Sequence, residues 1–317
     1  PRTEIRLIGF PTADFDTIDV ALATYRHAKG VLVAEPDYLQ FADATPNDPD
    51  YDSLWGMNNG NDIDIDAPEA WDLSTGSADV KVCVIDTGID YNHEDLAANA
   101  WVNPGETPGN NIDDDNNGYV DDIYGYDFVN NDGDPMDDHG HGTHCSGTIG
   151  GVGNNGVGVA GVNWTVRIAG AKFLDSDGYG YTSDAIAAVY WATGLGFELT
   201  SNSWGGGGFS QSMKNAIDDA DANGYLFIAA AGNNSSDNDS SPHYPSSHTS
   251  ANLIAVASTT SSDDMSWFSN WGATSVDLAA PGSSILSTLP GNSYGSLSGT
   301  SMATPHVAGA CALLKAH

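Results

Sequence analysis

The chain has 317 residues, of which 43 are Asp or Glu and 9 are Lys or Arg, and its formal net charge at pH 7 is -34. A field of this sign repels nucleic acids and anionic membranes, so neither is an expected partner. No apolar run reaches membrane-spanning length. The three cysteines lie in apolar or glycine-rich surroundings, which predict buried thiols rather than disulfides.

The first forty residues predict a strand, a helix and a second strand. Residues 4–10 and 31–38 are rich in apolar and β-branched residues, and they flank a predicted helix at 17–28 that stops at Gly30. Residues 1–29 hold four basic and four acidic residues, so the whole negative excess lies further along the chain. We therefore predict a small α+β unit ahead of the main domain.

From about Thr45 onward, predicted strands and helices alternate. The strands lie at 80–86, 166–172, 197–203, 224–231 and 252–258, and the helices at 141–150, 183–193, 211–223 and 301–315. The helix at 211–223 is the most regular, with apolar residues at i, i+3, i+4 and i+7, Ser210 as its cap and Gly224 at its end. This alternation predicts an α/β fold with a mostly parallel sheet covered on both faces.

Three short blocks place the groups of a nucleophilic hydrolase at the ends of predicted elements. Asp86 ends a buried strand, His141 begins a helix, and Ser301 begins another, where free N–H groups favour negative charge. A serine nucleophile needs a base and a carboxylate that orients the base. Serine is also a common helix cap, so Ser301 alone would not indicate catalysis. Its two partners change that interpretation.

The blocks Val-Ile-Asp-Thr-Gly, His-Gly-Thr-His and Gly-Thr-Ser-Met-Ala-Thr-Pro-His resemble those of subtilisin-like serine proteases, or subtilases, of the thermitase-like branch. The resemblance runs from about Thr45 to the C-terminus. It implies a three-layer, mostly parallel twisted sheet with helices on both faces. It also implies a secreted, calcium-dependent serine endopeptidase that forms an acyl-enzyme and prefers large apolar residues in proteins or peptides. We expect a monomer.

The family pattern also selects among neighbouring polar residues. Of His139, His141 and His144, the resemblance makes His141 the base, and a zinc ion shared by all three is the alternative. The Ser301 N–H can help to hold the oxyanion that forms when the serine attacks a carbonyl. After the predicted strand at 224–231, the resemblance assigns the second donor for this oxyanion to Asn233, with Asn234 as the structural alternative.

Small residues beside these groups imply a groove for an extended peptide. By resemblance, two segments form the walls of the primary specificity pocket and leave room for a large apolar side chain: Ser203, Trp204, Gly205, Ala231 and Gly232. Gly178 and Gly180 resemble an edge segment that pairs with the substrate backbone, because glycine permits a close approach. The glycine run at 205–208 lacks the Lys-Ser/Thr of a phosphate loop.

One acidic loop has the spacing of a calcium-binding loop. Counting from Asp113, oxygen-bearing side chains stand at positions 1, 3 and 5 and glycine at position 6, but a tyrosine replaces the glutamate of position 12. Either Asp121 or Asp122 is therefore expected to complete the shell. The other expected ligands are Asp113, Asp115, Asn117 and Tyr119.

Two further calcium sites are implied by the resemblance, so that two to three ions are expected. The stronger site takes side chains and backbone carbonyls from Asp48, Asp95, Val152, Asn155, Val157 and Val159. The second takes Asp127, Asp132 and Asp134. Solvated surface loops are the alternative for all three sites.

The N-terminal unit resembles part of an inhibitory prodomain. The run Val-Ala-Glu-Pro-Asp-Tyr at 33–38 is similar to the close of that domain. We therefore expect residues 1–43 to be a partial prodomain that binds its own enzyme and residues 44–317 to be the catalytic domain. A purely structural extension is the alternative. Because the family domain normally continues further beyond Ser301, we expect the catalytic domain to be truncated at its C-terminus.

Rival functions remain open from the sequence. The alternatives are a catalytically latent precursor and a calcium-dependent peptide-binding module. A convertase that cuts after paired basic residues fits less well, since such enzymes usually lack the His-Gly-Thr-His and Met-Ala-Thr-Pro forms. A Cys–His protease based on Cys145 is a weaker rival. An α/β-hydrolase is disfavoured, because its catalytic residues follow the order Ser, Asp, His and not Asp, His, Ser.

Overall fold

The computed structural model describes residues 5–9, 15–36 and 44–317, and the chain divides into two compact units, Pro1–Ala42 and Asp43–His317. In the first unit, helix α1 spans Phe15–Arg26, close to the predicted 17–28. The strands predicted at 4–10 and 31–38 are wrong in their described parts, because residues 5–9 and 31–36 form no strand. β-propensity requires a neighbouring strand to pack against, and the described parts of these two segments do not pair. Their remaining positions lie outside the described residues.

The second unit is built on a seven-stranded sheet in which every neighbouring pair of strands is parallel. Its strand order is β2-β3-β1-β4-β5-β6-β7. The strands are β1 (Gly76–Asp86), β2 (Gly125–Asp127), β3 (Thr165–Lys172), β4 (Leu199–Asn202), β5 (Leu226–Ala230), β6 (Leu253–Thr259) and β7 (Leu278–Pro281). A separate antiparallel hairpin consists of β8 (Ile285–Leu289) and β9 (Ser293–Leu297).

Helices cover both faces of this sheet. They are α3 (His141–Gly150), α4 (Thr182–Gly194), α5 (Gln211–Asp221) and α6 (Thr300–Ala316). The short helix α2 (Ala67–Trp71) and a 3-10 turn at Tyr51–Ser53 pack in a separate hydrophobic cluster. Side chains of β1 alternate between two cores: Val82 and Val84 pack with α3 and α6, whereas Cys83 and Ile85 pack with α4 and α5. This alternation follows from the period of two in a strand, and it makes the domain three layers thick.

The predicted fold class is confirmed, and so are the five predicted strands and four predicted helices of this domain, with small shifts at their ends. In α5 the hydroxyl of Ser210 accepts the Met213 N–H at 3.2 Å, as its role as N-cap requires. The helix buries Met213, Ala216, Ile217 and Ala220. Among the described residues, no helix is long and apolar enough to cross a bilayer.

The carboxyl ends of the central parallel strands gather at one edge of the sheet. β1 lies between β3 and β4, and the chain order of the strands reverses at this point. In open α/β sheets, ligands bind outside the carboxyl ends of the strands at such a reversal. Asp86 is the last residue of β1, and Asn233 follows the end of β5 by three residues. The fold therefore directs the candidate site to this edge.

Candidate active site

The side chains of Asp86 and His141 form a direct pair at the sheet edge. His141 Nδ1 lies 2.7 Å from Asp86 Oδ1. The Asp86 side chain is fully buried, whereas 20% of the His141 side chain is exposed. Burial by itself lowers the pKa of His141, but the charge and hydrogen bond of Asp86 outweigh it and raise that pKa. The imidazole is thus oriented by a buried carboxylate, and its other nitrogen is left for a reactant.

Asp137, which the sequence analysis did not select, fixes the segment that carries His141. Its buried carboxylate accepts both the backbone N–H and the hydroxyl of Thr143, at 2.8 and 2.6 Å. It also accepts the Thr87 hydroxyl at 2.9 Å, and that hydroxyl in turn accepts the Gly142 N–H at 2.9 Å. Burial raises the pKa of Asp137, but hydrogen bonds from the Gly140 N–H and from Thr143 prevail and lower it. The end of β1 and the start of α3 are therefore tied together through one carboxylate.

Ser301 lies in the first turn of α6, and a proline four residues later shapes its surroundings. Pro305 has no N–H, so the Ser301 carbonyl lacks its helical partner. The Ser203 hydroxyl donates to this carbonyl at 2.9 Å, and the Cys145 thiol donates to it at 3.5 Å. In return, the Ser301 hydroxyl donates to the Ser203 carbonyl at 2.9 Å. These contacts join the start of α6 to the end of β4.

The amide of Asn233 is oriented by Thr300, the residue before Ser301. Asn233 Oδ1 accepts the Thr300 N–H at 2.8 Å and the Thr300 hydroxyl at 3.0 Å. Because the oxygen is occupied in this way, the amide nitrogen is the group left to donate elsewhere. A Cβ placed on Gly299 would lie 3.5 Å from both Asn233 Nδ2 and Ser301 N. The two candidate oxyanion donors therefore flank one small space.

Neighbouring histidine and cysteine side chains have structural surroundings. His144 is buried, its Nε2 lies 2.9 Å from the Ile285 carbonyl, and burial lowers its pKa to about 4. The ring centroids of His139 and His141 are 6.3 Å apart. In the part of the chain that the structure describes, these three histidines do not form a metal-ligand group. Cys145 does lie with Asp86 and His141, but burial raises the pKa of its thiol well above the usual value, which disfavours a thiolate ligand or nucleophile.

The predicted pocket walls follow two adjacent strands. Ser203, Trp204 and Gly205 come directly after β4, and Ala231 and Gly232 come directly after β5. The Trp204 ring packs on a neighbouring aromatic ring at the end of β3, with centroids 4.7 Å apart. Strands β4 and β5 are paired in the sheet, so both walls extend from its carboxyl edge.

The predicted substrate-edge segment follows β3. Gly178 has a φ of +79°, which favours glycine, and a Cβ there would lie 3.6 Å from the His139 ring. A Cβ on Gly180 would lie 2.1 Å from the Phe173 carbonyl, so a side chain cannot be accommodated without a backbone shift. Tyr179 and Tyr181 on either side of Gly180 are exposed. The loop thus presents backbone and two aromatic rings beside the site.

The residues of the stronger predicted calcium site lie together. Asp48 and Asp95 are both buried. The loop that carries the predicted carbonyl ligands Val152, Val157 and Val159 also carries Asn155, whose side chain donates to Asp95 at 2.8 Å. Burial raises the pKa of Asp95 to about 6, and the charge of Asp48 adds to this effect.

The acidic loop contains a carboxylate that the sequence analysis missed. Oxygen atoms of Glu106, Asp113 and Asp115 all lie within 4.8 Å of one another. Glu106 lies seven residues before Asp113, which is position 1 of the calcium-loop pattern, so the pattern does not include it. Its own oxygens accept backbone N–H groups from the loop, including that of Asp115 at 3.2 Å.

The other calcium ligands predicted in this loop form hydrogen bonds that stabilise its turns. Asn117 accepts the Tyr119 N–H at 2.7 Å, and its side chain donates to Asp122 at 2.9 Å. Asp122 is fully buried and also accepts an indole N–H of α4 at 2.7 Å. Asp121 accepts two backbone N–H groups from residues 110 and 111.

The carboxylates of the second implied calcium site are used by local turns. Asp127 is buried and accepts the Val129 N–H at 2.7 Å. Asp132 accepts the Asp134 N–H at 3.0 Å, and Asp134 accepts the Tyr91 hydroxyl at 2.9 Å. Among the described residues, these three are not one of the groups whose ligand atoms approach within 4.8 Å.

Comparisons with known proteins identify the family of this chain. A sequence model of the subtilase family matches residues 77–317. The thermophilic serine proteinase of Bacillus sp. (strain AK1) is 41% identical over 285 residues, which cover 90% of this chain and 63% of that protein. Thermitase of Thermoactinomyces vulgaris is 40% identical over 271 residues, which cover 85% of each chain. The chain therefore spans less than two thirds of the Bacillus relative and most of thermitase.

Solved structures show the same similarity. A cold adapted subtilisin-like serine proteinase aligns with a TM-score of 0.63 and 36% identity over 82% of this chain and 84% of that chain. A protease from Pseudoalteromonas arctica PAMC 21717 aligns with a TM-score of 0.71 and 32% identity over 86% of this chain and 87% of that chain. Fold and sequence agree, and the chain belongs to the subtilase family of serine endopeptidases.

Proposed function

We propose that this protein hydrolyses peptide bonds in proteins by way of an acyl-enzyme. The observation that carries the proposal is the Asp86–His141 pair at 2.7 Å, on the same sheet edge as Ser301. In this proposal Ser301 attacks the scissile carbonyl, and His141 accepts its proton and returns it to the leaving amine. Asp86 remains ionised and stabilises the imidazolium. Water then attacks the ester by the reverse route, with His141 again as base.

Two donors would hold the oxyanion that forms during attack. They are the Ser301 N–H in the first turn of α6 and the side-chain amide of Asn233. The Ser301 hydroxyl donates to the Ser203 carbonyl at 2.9 Å. We infer that it rotates toward His141 for the attack. The pocket between the two walls would take a large, largely apolar side chain, which gives broad specificity.

A casein assay tests this proposal. The purified chain, incubated with casein and calcium, is expected to release peptides, and a serine-reactive inhibitor is expected to stop the release. Folded protein that has been freed of residues 1–43 and still leaves casein intact would contradict the proposal. That outcome would favour the second candidate, a latent precursor or calcium-dependent peptide-binding module, for which the acidic loops are the supporting observation.

We further propose that the enzyme is a secreted, extracellular monomer. We also propose that it binds calcium and that the bound ion stabilises it. Asp48 and Asp95 are buried carboxylates, and within the described residues neither forms an ion pair with a basic side chain. Two such groups repel one another unless a cation lies between them. Carboxylate, amide and carbonyl oxygens are the ligands that calcium prefers. Asn155 and the loop at 152–159 supply the amide and the carbonyls.

Removal of calcium is expected to lower the melting temperature. A ligand present at 100 to 1,000 times its Kd adds about 3–4 kcal/mol, which corresponds to a shift on the order of 10 °C in a domain of this size. Calorimetry should be done on Ser301→Ala, so that self-digestion does not contribute. Asp95→Asn should lose most of the response to chelator, whereas Asp221→Asn, at an exposed position outside the loops, should keep it.

An unchanged melting temperature in excess chelator would contradict the calcium proposal, provided that metal analysis confirms removal of the ion. A response that persists in Asp95→Asn would instead move the stabilising site to another loop. The Glu106, Asp113 and Asp115 group is then the next position to test.

Residues 1–43 are proposed to be a removable remnant of an inhibitory segment. Support comes from the prodomain-like ending at 33–38 and from the charge boundary near residue 29. After cleavage, the new C-terminus would occupy the groove as a product and inhibit until it dissociates. The expected cut lies between Ala42 and Thr45, a span whose first two positions fall outside the described residues.

N-terminal sequencing of the active enzyme checks this expectation. We expect the active form to begin between residues 43 and 45, with an intact mass that falls as activity rises. Ser301→Ala should retain its full mass if the cut is made by the enzyme itself. Full activity with Pro1 still attached, and no cut near residue 43, would contradict the proposal.

A further inference from the structure

The imidazole of His243 lies between the two glycines of the proposed specificity pocket. A Cβ placed on Gly205 would lie 2.0 Å from its Cε1 atom, and a Cβ on Gly232 would lie 2.9 Å from its Cδ2 atom. The ring therefore contacts both walls, and side chains larger than glycine would collide with it. His243 is half-buried, so part of the side chain remains accessible. A polar ring thus borders a pocket whose walls predict apolar contacts.

The hydrogen bonds around His243 define which ring nitrogen is free. The Ser246 hydroxyl donates to the His243 carbonyl at 2.8 Å, so the same hydroxyl must accept when it meets Nδ1 at 3.3 Å. This places the proton of the neutral ring on Nδ1. Among the described residues, no hydrogen bond to Nε2 is found. Nε2 is thus left as an acceptor in the neutral ring and becomes a donor when the ring is protonated.

The groups that the structure places beside His243 carry no charge. The ring meets the backbone of Gly205 and Gly232 and the Ser246 hydroxyl, the Ser247 hydroxyl accepts the His243 backbone N–H at 2.9 Å, and the Asn270 amide nitrogen lies 2.5 Å from the same Cβ position on Gly232. Burial lowers the pKa of His243, and no charged group among the described residues opposes it. The neutral ring is therefore favoured at pH 7, and protonation requires a lower pH than an ordinary histidine does.

We propose that His243 determines which substrate residue is accepted immediately before the scissile bond. It does so by forming a hydrogen bond with the terminal group of that residue's side chain. With the neutral ring, a long side chain that ends in a donor, such as glutamine, is favoured over an apolar one of equal length. With the protonated ring, glutamate is favoured over glutamine. The inference rests on the proposed endopeptidase function and modifies its apolar preference, because the far end of the favoured side chain is polar.

The role of His243 can be tested with peptides that differ only in the residue immediately before the scissile bond. Three matched fluorogenic substrates carry methionine, glutamine or glutamate there, and kcat/KM is measured at constant ionic strength from pH 5 to pH 8. Protonation of His141 slows all three alike, so the ratio of two substrates isolates the pocket. In the wild type, the glutamate-to-glutamine ratio is expected to rise about tenfold or more as the pH falls, as a charge-assisted hydrogen bond would give.

Two variants of His243 separate its hydrogen bond from its shape. His243→Phe keeps a ring but removes both nitrogens, and the glutamine-to-methionine ratio at pH 8 should fall about fivefold. His243→Ala should lose the same preference if the larger ring does not fit. Both variants should give a glutamate-to-glutamine ratio that no longer changes with pH. His248→Phe is the matched control, because this histidine lies in the same segment but its ring contacts Phe209 and Tyr244.

The outcomes are distinguishable. Cleavage of all three peptides with ratios that match between wild type and His243→Phe would overturn the role of His243 and leave the endopeptidase proposal intact. The same pH dependence in wild type and His243→Ala would also overturn it. If folded enzyme, freed of residues 1–43, cleaves none of the peptides, the endopeptidase proposal fails and this inference fails with it.

Discussion

Ser301→Ala is expected to lower kcat for peptide hydrolysis by on the order of a millionfold, because no acyl-enzyme can form. Binding groups and oxyanion donors remain, so a residual acceleration over the uncatalysed reaction of roughly 10³–10⁴ is expected. The measurement is hydrolysis of a peptide substrate by purified variant and wild type. The variant should keep the wild-type melting temperature in the presence of calcium.

Ser298→Ala is the matched control for this loss. Ser298 is exposed, lies three residues before the proposed nucleophile and accepts the Ser284 N–H at 2.8 Å. Its replacement should change kcat less than about twofold, since surface substitutions rarely perturb a fold. If Ser301→Ala retained wild-type hydrolysis, the reaction would not proceed through this hydroxyl.

Asn233→Leu is expected to lower kcat by about 10²–10³ while KM changes little. The amide would contact charge that exists only in the transition state, so its loss should not weaken substrate binding in proportion. Asn234→Leu, one residue further on, should stay within about twofold of wild type. Steady-state kinetics on one substrate separate the two parameters.

Equal changes in kcat and KM would contradict the oxyanion role of Asn233. A large loss of kcat in Asn234→Leu would transfer the role to that residue. Leucine also leaves the two Thr300 donors without their acceptor. For this reason the melting temperature of Asn233→Leu must be measured, and Thr300→Val shows how much of the kinetic effect comes from lost orientation.

Long, regular segments of the fold were predictable because local pattern and tertiary role agree in them. Strand β1 reads as a continuous apolar run because it is buried on both faces, and α5 carries its cap and its apolar face within its own residues. The short strands β2 and β7 were not predicted. Each has three or four residues and depends on a neighbouring strand that the local sequence does not reveal.

The residues of the candidate site also divide into those that the local sequence indicates and those that only tertiary contacts reveal. Asp86, His141 and Ser301 lie in blocks whose local sequence indicates chemistry, so they were selected before any geometry was known. Asp137 and His243 were not, because their importance comes from what they contact. Asp137 joins the segments of Asp86 and His141 through hydrogen bonds, and His243 borders glycines that lie 38 and 11 residues away in sequence. Only the tertiary structure reveals such contacts.

Pro305 affects the candidate site through the backbone carbonyl of Ser301. A proline inside a helix is usually destabilising. Here it removes the helical partner of the Ser301 carbonyl, which Ser203 and Cys145 then contact from the end of β4 and from α3. The break in the helical hydrogen bonds thus becomes a link between the proposed nucleophile and the pocket wall.

Covalent labelling tests the central claim most directly. The wild-type enzyme, with calcium and without residues 1–43, is treated with a fluorophosphonate, digested and mapped by peptide mass spectrometry. We expect one adduct per chain, located on Ser301, with labelling strongly slowed in His141→Ala and absent in Ser301→Ala. A folded enzyme that acquires no adduct, or acquires it on another residue at the wild-type rate, would contradict the assignment of Ser301 as an activated nucleophile.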